Sequence, residues 1–292
     1  MKLVSFLLET EVRHGVLLDD RVIDLGRGDL LSLIEGGAEA LDRAQAAQAP
    51  VHPLQHIRLL APVRRPPKLL ALARNYQDHI TEGGLPPVDK QRIVPKMFLK
   101  PSSAIIGPDE AVCLPTISYE TDWEVELAVV IGTRTRNVGV DRALQSVFGY
   151  TIANDISARS TDWGVQRDED HWNEFFDWLN GKWPDGFAPL GPYILTADDV
   201  PEPHNLELSL LLNGERKQHS NTREMISTVA ETIAFASQFM TLEPGDIIET
   251  GTPSGVGATT GTYVKAGDVM EASIEKLGTL RTPVQAPDLA AT

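Results

Sequence analysis

The stretch Asp122-Trp-Glu-Val-Glu-Leu-Ala-Val-Val-Ile-Gly132 sets two acids one residue apart at the start of an apolar run. On a strand, whose side chains alternate, Glu124 and Glu126 leave one face and Trp123, Val125 and Leu127 the other. Residues 128–131 are apolar on both faces, which suits a strand entering a core. Carboxylates beside a core are costly to bury as anions, so their face meets water or carries something positive. A third acid, Asp155, ends a second apolar strand, Phe148-Gly-Tyr-Thr-Ile-Ala-Asn-Asp155. Three carboxylates with no Cys or His at ligand spacing describe a hard, oxygen-preferring site for Mg2+ or Mn2+, not zinc.

A second candidate is Arg74-Asn-Tyr-Gln-Asp-His-Ile-Thr-Glu82. If it forms a helical turn, His79 and Glu82 stand three residues apart on one face and can pair. A carboxylate beside imidazole orients the ring, fixes its tautomer and strengthens it as a base. A bare His-x-x-Glu is also compatible with a solvated surface. Gly83-Gly84 and Pro86-Pro87 follow and could hinge the segment as a lid. Thr250-Gly-Thr-Pro-Ser-Gly-Val-Gly257 fits a loop whose backbone approaches a ligand closely. It lacks both the Gly-x-Gly-x-x-Gly spacing and the Gly-Lys-Ser end of nucleotide loops. Residues 163–178, dense in aromatics and charge, read as a helical or looped insertion walling a pocket; a dimer contact or plain surface helix reads equally well. Lys182 by itself reads as an ordinary surface charge. Cys113, with no His near it in sequence, reads as a small core residue and not a nucleophile.

The elements that must position these groups follow from pattern. Residues 2–8, 15–18 and 21–24 read as strands, and residues 29–48 as two short helices parted by Gly36-Gly37. Pro50, Pro53, Pro62, Pro66 and Pro67 mark a linker, so the expected organisation is a small α+β domain over 1–60 and a catalytic domain over 68–285. Residues 68–73 make an apolar strand. Residues 206–212 and 215–219 make a hairpin through Asn213-Gly214. Residues 225–240 carry a helical apolar stripe of Met225, Ile226, Val229, Ile233, Phe235 or Ala236, and Phe239, whose Met and Phe residues are expected to pack into the core. Glu243-Pro-Gly-Asp246 and Lys265-Ala-Gly-Asp268 are turns that each precede a strand, and residues from 286 onward are expected to fray.

The net charge of -15 argues against nucleic acid or an anionic membrane as partner. One cysteine gives no intrachain disulfide. The first eight residues are too short an apolar run for a signal peptide, and no stretch approaches the roughly 18 apolar residues of a membrane span. A cytoplasmic protein is the expectation.

Taken in order, these pieces resemble the fumarylacetoacetate hydrolase family. The resemblance rests on the acidic strand, the His79 segment, Phe98-Leu-Lys-Pro101, Asn154-Asp-Ile-Ser-Ala-Arg159, Gly181-Lys182 and the glycine loop, spanning most of residues 68–275. It implies an α+β, β-rich fold: a mixed sandwich-like roll with peripheral helices and a small N-terminal domain, usually as a homodimer. It implies Glu124, Glu126 and Asp155 as ligands of Mg2+ or Mn2+, and His79 with Glu82 as the catalytic pair on a lid. By the same resemblance Lys182 faces the substrate, Thr252 meets its carboxylate end, and Arg74, Tyr76 and Arg159 belong to the substrate site. The implied reaction is hydrolysis of a carbon–carbon bond in an acylpyruvate or related 2,4-dioxo acid, such as fumarylpyruvate or fumarylacetoacetate, through a metal-held enolate. Decarboxylation of an oxaloacetate-like acid, or isomerisation or hydration of an unsaturated oxo acid, needs no other residues. A non-catalytic binding protein would be signalled by loss of His79 or Glu82, and both are present. Two departures border the implied pocket: Ser160 and Asp162 replace the acid and amide of the family's Arg-Asp-x-Gln, and the 163–178 insertion is long. Both bear on which substrate is taken.

Overall fold

The computed structural model describes residues 1–288, so the expected fraying beyond that point lies outside the described residues. A twelve-stranded mixed sheet forms the centre. Its path starts at Val51–Pro53 and runs through Arg21–Arg27, Glu11–Leu18 and Lys2–Leu8 to Ala188–Thr196 and Val147–Asn154. It continues through the acidic strand Val125–Ile131 to Ile247–Glu249, Leu69–Ala73 and Lys96–Lys100. Lys2–Leu8 pairs with Ala188–Thr196, so the first 60 residues share this sheet with the rest of the chain. The prolines of residues 50–67 do not leave a bare linker. Val51–Pro53 and Arg58–Leu60 add short strands to this sheet, pairing with Arg21–Arg27 and Lys2–Leu8, where short proline-bearing segments can serve as edges.

The acidic strand is buried along its whole length. Its odd residues, Val125, Leu127, Val129 and Ile131, join a core shared with a second, five-stranded sheet through Leu208, Leu210, Met270, Ala272 and Leu280. Its even residues Ala128 and Val130 pack into a second core with Leu3, Leu30, Ile34 and Phe148. This explains why residues 128–131 are apolar on both faces, and why Glu124 and Glu126 share the face of that second core. The architecture is a strand-rich α+β sandwich with helices at its periphery.

Thr228 and Glu231 form a capping box, so the main helix spans Val229–Phe239 and starts after Met225 and Ile226, which are buried ahead of it. Phe239 is not a core residue: at the last turn it is 67% exposed and stacks edge-on with Phe235. Cys113 is also exposed. It sits on the two-residue strand Val112–Cys113, where alternation sends Val112 inward and Cys113 out.

Candidate active site

Two strand ends bring the acids together. Asp155, just past Val147–Asn154, donates its backbone N–H to the Glu124 carbonyl at 2.9 Å. The neighbouring Asn154 side chain accepts the Glu124 N–H at 2.8 Å. Glu124, Glu126 and Asp155 are all buried, and one carboxylate oxygen from each lies within 4.8 Å of the others.

Three cations face this cluster. Lys182 Nζ donates to Glu124 Oε2 at 2.9 Å and to Asp155 Oδ2 at 2.6 Å. Lys100 Nζ donates to Asp155 Oδ1, and to the Phe187 carbonyl at 2.7 Å. Arg159 bridges Glu124 Oε1 at 2.6 Å and Asp122 Oδ2 at 2.8 Å. Burial alone would raise the pKa of Glu124, but the Lys182 ammonium and Arg159 guanidinium overcome it and hold that carboxyl well below the usual range. Glu126 is pushed the other way, first by burial and then by Asp155, Glu249 and Glu124 crowding it. Its Oε2 accepts the Gly251 N–H at 2.5 Å, while its Oε1 has no partner among the described residues. Glu249, buried on the adjacent strand with neither oxygen partnered among the described residues, is pushed up to about 8, chiefly by burial. Three buried carboxyls at this separation, one with an orphaned oxygen and crowded by like charge, fit a hard divalent cation such as Mg2+ or Mn2+.

The His79 segment forms the helix Gln77–Glu82. His79 Nδ1 and Glu82 Oε1 are 2.7 Å apart. With the carboxylate accepting at Nδ1, the assigned tautomer leaves Nε2 as the proton-accepting nitrogen. Glu82 Oε2 also accepts the Gly255 N–H at 2.8 Å, and Asp78 Oδ2 accepts the Ser254 hydroxyl at 2.7 Å, so this helix is docked on the glycine loop. The loop needs its glycines. Gly251 has φ +92° and a Cβ there would sit 2.7 Å from Asn75 Cβ; Gly255 has φ +100° and would meet the Lys217 carbonyl at 2.1 Å.

His79, Glu124, Arg159 and Lys182 line one cavity of about 700 Å³. Phe98, Phe175 and Trp178 form an aromatic wall, with Phe98 and Trp178 edge-to-face at 5.0 Å. Phe175 and Trp178 belong to the helix His171–Asn180, so the aromatic insertion does wall the pocket. Of the two departures from the family pattern, Ser160 lines a neighbouring cavity of about 260 Å³ with Glu174 and Trp178.

Arg74 stands at the large cavity's edge, but Tyr76 and Thr252 are not among its lining residues. Tyr76 is buried, and its hydroxyl has no partner among the described residues. The Thr252 hydroxyl is occupied, donating to the Val125 carbonyl at 2.9 Å and accepting from Gln218 at 2.8 Å, so it fastens the glycine loop to the acidic strand. Sequence reasoning gave no role to Lys100, Glu249 or Asp122. Asp122 accepts the backbone N–H groups of Gly257 at 2.6 Å and Ala258 at 3.0 Å. For Glu249 a signal existed: Asp246-Ile-Ile-Glu249 is an acid closing an apolar strand, as at Asp155.

The model of the fumarylacetoacetate (FAA) hydrolase C-terminal domain matches residues 68–285. The chain belongs to the fumarylacetoacetate hydrolase family. Within this family the chain is 44% identical over 256 residues to the mitochondrial oxaloacetate tautomerase FAHD2B of Bos taurus, covering 86% of this chain and 78% of that one. Among solved structures it resembles the fumarylacetoacetate hydrolase of Exiguobacterium antarcticum, with TM-score 0.80, 35% identity and coverage of 98% and 99% of the two chains. It also resembles the maleylpyruvate hydrolase of Sphingobium sp. SYK-6 in complex with manganese(II) and pyruvate, with TM-score 0.78, 31% identity and coverage of 99% and 100%. Both hydrolases and a tautomerase thus stand among its relatives. None of the described helices is long and apolar enough to cross a membrane.

Proposed function

We propose that this protein is a divalent-metal-dependent hydrolase that cleaves a carbon–carbon bond in an acylpyruvate or related 2,4-dioxo acid. The observation that carries this reading is the convergence of His79, oriented by Glu82, with Glu124 and Lys182 on one cavity beside the buried acid cluster. Glu124, Glu126 and Asp155 would hold Mg2+ or Mn2+. When bound, that ion supplies a Lewis acid for the substrate's carboxylate and 2-oxo oxygens.

The chain's own groups supply the rest. His79 Nε2 takes a proton from the water that attacks the distal carbonyl, and the Glu82 carboxylate stabilises the resulting imidazolium. As the carbon–carbon bond breaks, the electron pair passes to the pyruvate part as an enolate. Two of the three Lys182 N–H groups are committed to Glu124 and Asp155, which leaves one to donate towards that developing charge. The imidazolium then returns its proton to C3, giving pyruvate and a carboxylic acid.

The similarity to the bovine tautomerase favours a second reading, enol–keto interconversion of oxaloacetate, in which His79 moves a proton at C3 without attack by water. A panel of acetylpyruvate, fumarylpyruvate and oxaloacetate, followed by NMR with Mg2+, Mn2+ or EDTA, separates the two. Metal-dependent release of pyruvate and a second acid supports hydrolysis. Accelerated enol loss from oxaloacetate without cleavage supports tautomerisation. Pyruvate binding with neither activity rejects both.

A further inference from the structure

The strand Ile247–Glu249 pairs with Ala128–Val130 of the acidic strand and then gives way to the glycine loop. Thr250 still follows the edge, donating its N–H to the Leu127 carbonyl at 3.0 Å. At Gly251, φ +92°, the chain turns away. The next backbone groups on that edge belong to Val125, which lies between Glu124 and Glu126. Buried backbone groups need partners, and here side chains supply them. Gln218 Oε1 accepts the Val125 N–H at 3.0 Å, and the Thr252 hydroxyl donates to the Val125 carbonyl at 2.9 Å.

Gln218 reaches this point from the other sheet. It sits on Glu215–Asn221, the outermost strand of the five-stranded sheet, and is buried. Leu211 pairs with Arg216 but Leu210 with Gln218, so Lys217 is the extra residue of a β-bulge. Unbroken pairing would set Lys217 opposite the buried Leu210; the bulge passes that inward place to Gln218. The carboxamide then works on both sides. Its Nε2 donates to Thr252 Oγ1 at 2.8 Å and to the Pro253 carbonyl at 2.9 Å, while Oε1 faces Val125. The partners fix which way the amide points, since the Pro253 carbonyl only accepts and the Val125 N–H only donates. The loop is seated on the bulge itself, because the Lys217 carbonyl is the atom that a Cβ at Gly255 would strike.

We infer that Gln218 is a positioning residue that sets the spacing between the acidic strand and the glycine loop, and through the loop the placement of His79. The loop is a shared mount: its Gly251 N–H holds Glu126, and its Gly255 N–H holds Glu82, the partner of His79. Thr252 and Pro253 lie between those two grips, and Gln218 holds both. What sets this glutamine apart from any satisfied core amide is where its bonds end. One ends between two residues of the acid cluster, and two end between the loop's grips on the cluster and on the base. The inference rests on the reading of that cluster as a metal site and of His79 as the base.

The test compares Gln218→Met, which keeps the length and removes all three bonds, with Gln218→Asn, which keeps the amide one methylene too short to serve both sides. Urea unfolding first establishes that each variant is folded. In calorimetric titration Gln218→Met is expected to bind Mg2+ about tenfold more weakly, the low end for groups that orient ligands without touching the ion. Gln218→Asn should fall between it and the wild type. At saturating Mg2+ the kcat of Gln218→Met should drop about tenfold, but less than about twofold when His79→Ala is also present, because nothing is then left to position. A glutamine that serves stability alone would lower the urea midpoint and leave Mg2+ affinity and kcat of the folded protein unchanged. That result overturns the proposal, as does an equal kcat loss in both backgrounds. If neither variant folds, Gln218 serves the fold and the positioning role falls. If no substrate is turned over, the hydrolase reading falls and Mg2+ affinity alone decides for Gln218. A wild type that binds no Mg2+ overturns the metal-site reading and the proposal together.

Discussion

Loading the acid cluster with Mg2+ should expel protons. Burial and crowding by like charge raise Glu126 well above its ordinary value, and Glu249 to about 8, which favours the protonated form of both carboxyls in the metal-free protein. A metal-ligating carboxylate must be ionised, so binding releases about one proton from Glu126. The arriving positive charge also lowers the pKa of Glu249, which adds up to about one more. The expected release is therefore between about one and two protons at pH 7, falling towards one above pH ~8, where Glu249 is already ionised. For each proton released the apparent affinity climbs about tenfold per pH unit. Isothermal titration calorimetry with Mg2+ in PIPES, HEPES and Tris reads the number as the slope of observed enthalpy against buffer ionisation enthalpy. Glu249→Gln should bring the slope towards one without abolishing binding, and Glu126→Gln should cut affinity sharply. A slope within about 0.3 of zero in the wild type would refute the reasoning, because it would mean that Glu126 is already ionised despite its burial among like charges.

His79→Ala should lower kcat for the cleaved substrate by about 10²–10⁴ while Mg2+ and pyruvate still bind in calorimetry; loss of metal instead would remove His79 from the role of base. Lys100→Met should cost about 3 kcal/mol in urea unfolding, since it strips a buried carboxylate of one of its cations, and an unchanged midpoint would deny the pair any structural part. His204 accepts the Val229 N–H at 2.8 Å at the start of the long helix, and burial lowers its pKa. Its contribution is therefore complete above pH ~6.5 and is lost as the pH falls below that value, by less than about 1 kcal/mol because the ring is partly solvated. His204→Gln should flatten that part of the stability curve between pH 7.5 and 5.5, and a curve identical to the wild type's would exclude this origin.

What could be read from sequence had a local cause. His79 and Glu82 sit one helical turn apart, and the acidic strand carries its parity in its own residues, so both were visible before any tertiary information. The capping box Thr228-Val-Ala-Glu231 was equally local and would have set the helix start correctly. Lys100 and Glu249 were not legible as site residues because their surroundings arise from strand pairing; Lys100 meets an acid 55 positions away. Thr252 shows a different limit. Glycines at 251 and 255 disclose a loop that packs tightly, but not which way a hydroxyl between them points, and here it points to the acidic strand. Phe239 and Cys113 misled for one reason: periodicity names a face, while a helix end or a sheet edge decides whether anything covers it.

The double engagement of Glu82 has a consequence for when chemistry can occur. One oxygen orients the base and the other clasps the glycine loop. Swinging the helix Gln77–Glu82 away to admit substrate would break the clasp and carry the His79–Glu82 pair off the pocket together. The open state would then have no base in place, and the closed state could not form without installing one. In such a movement closure and competence would be a single event, with no separate latch needed to report that the door is shut.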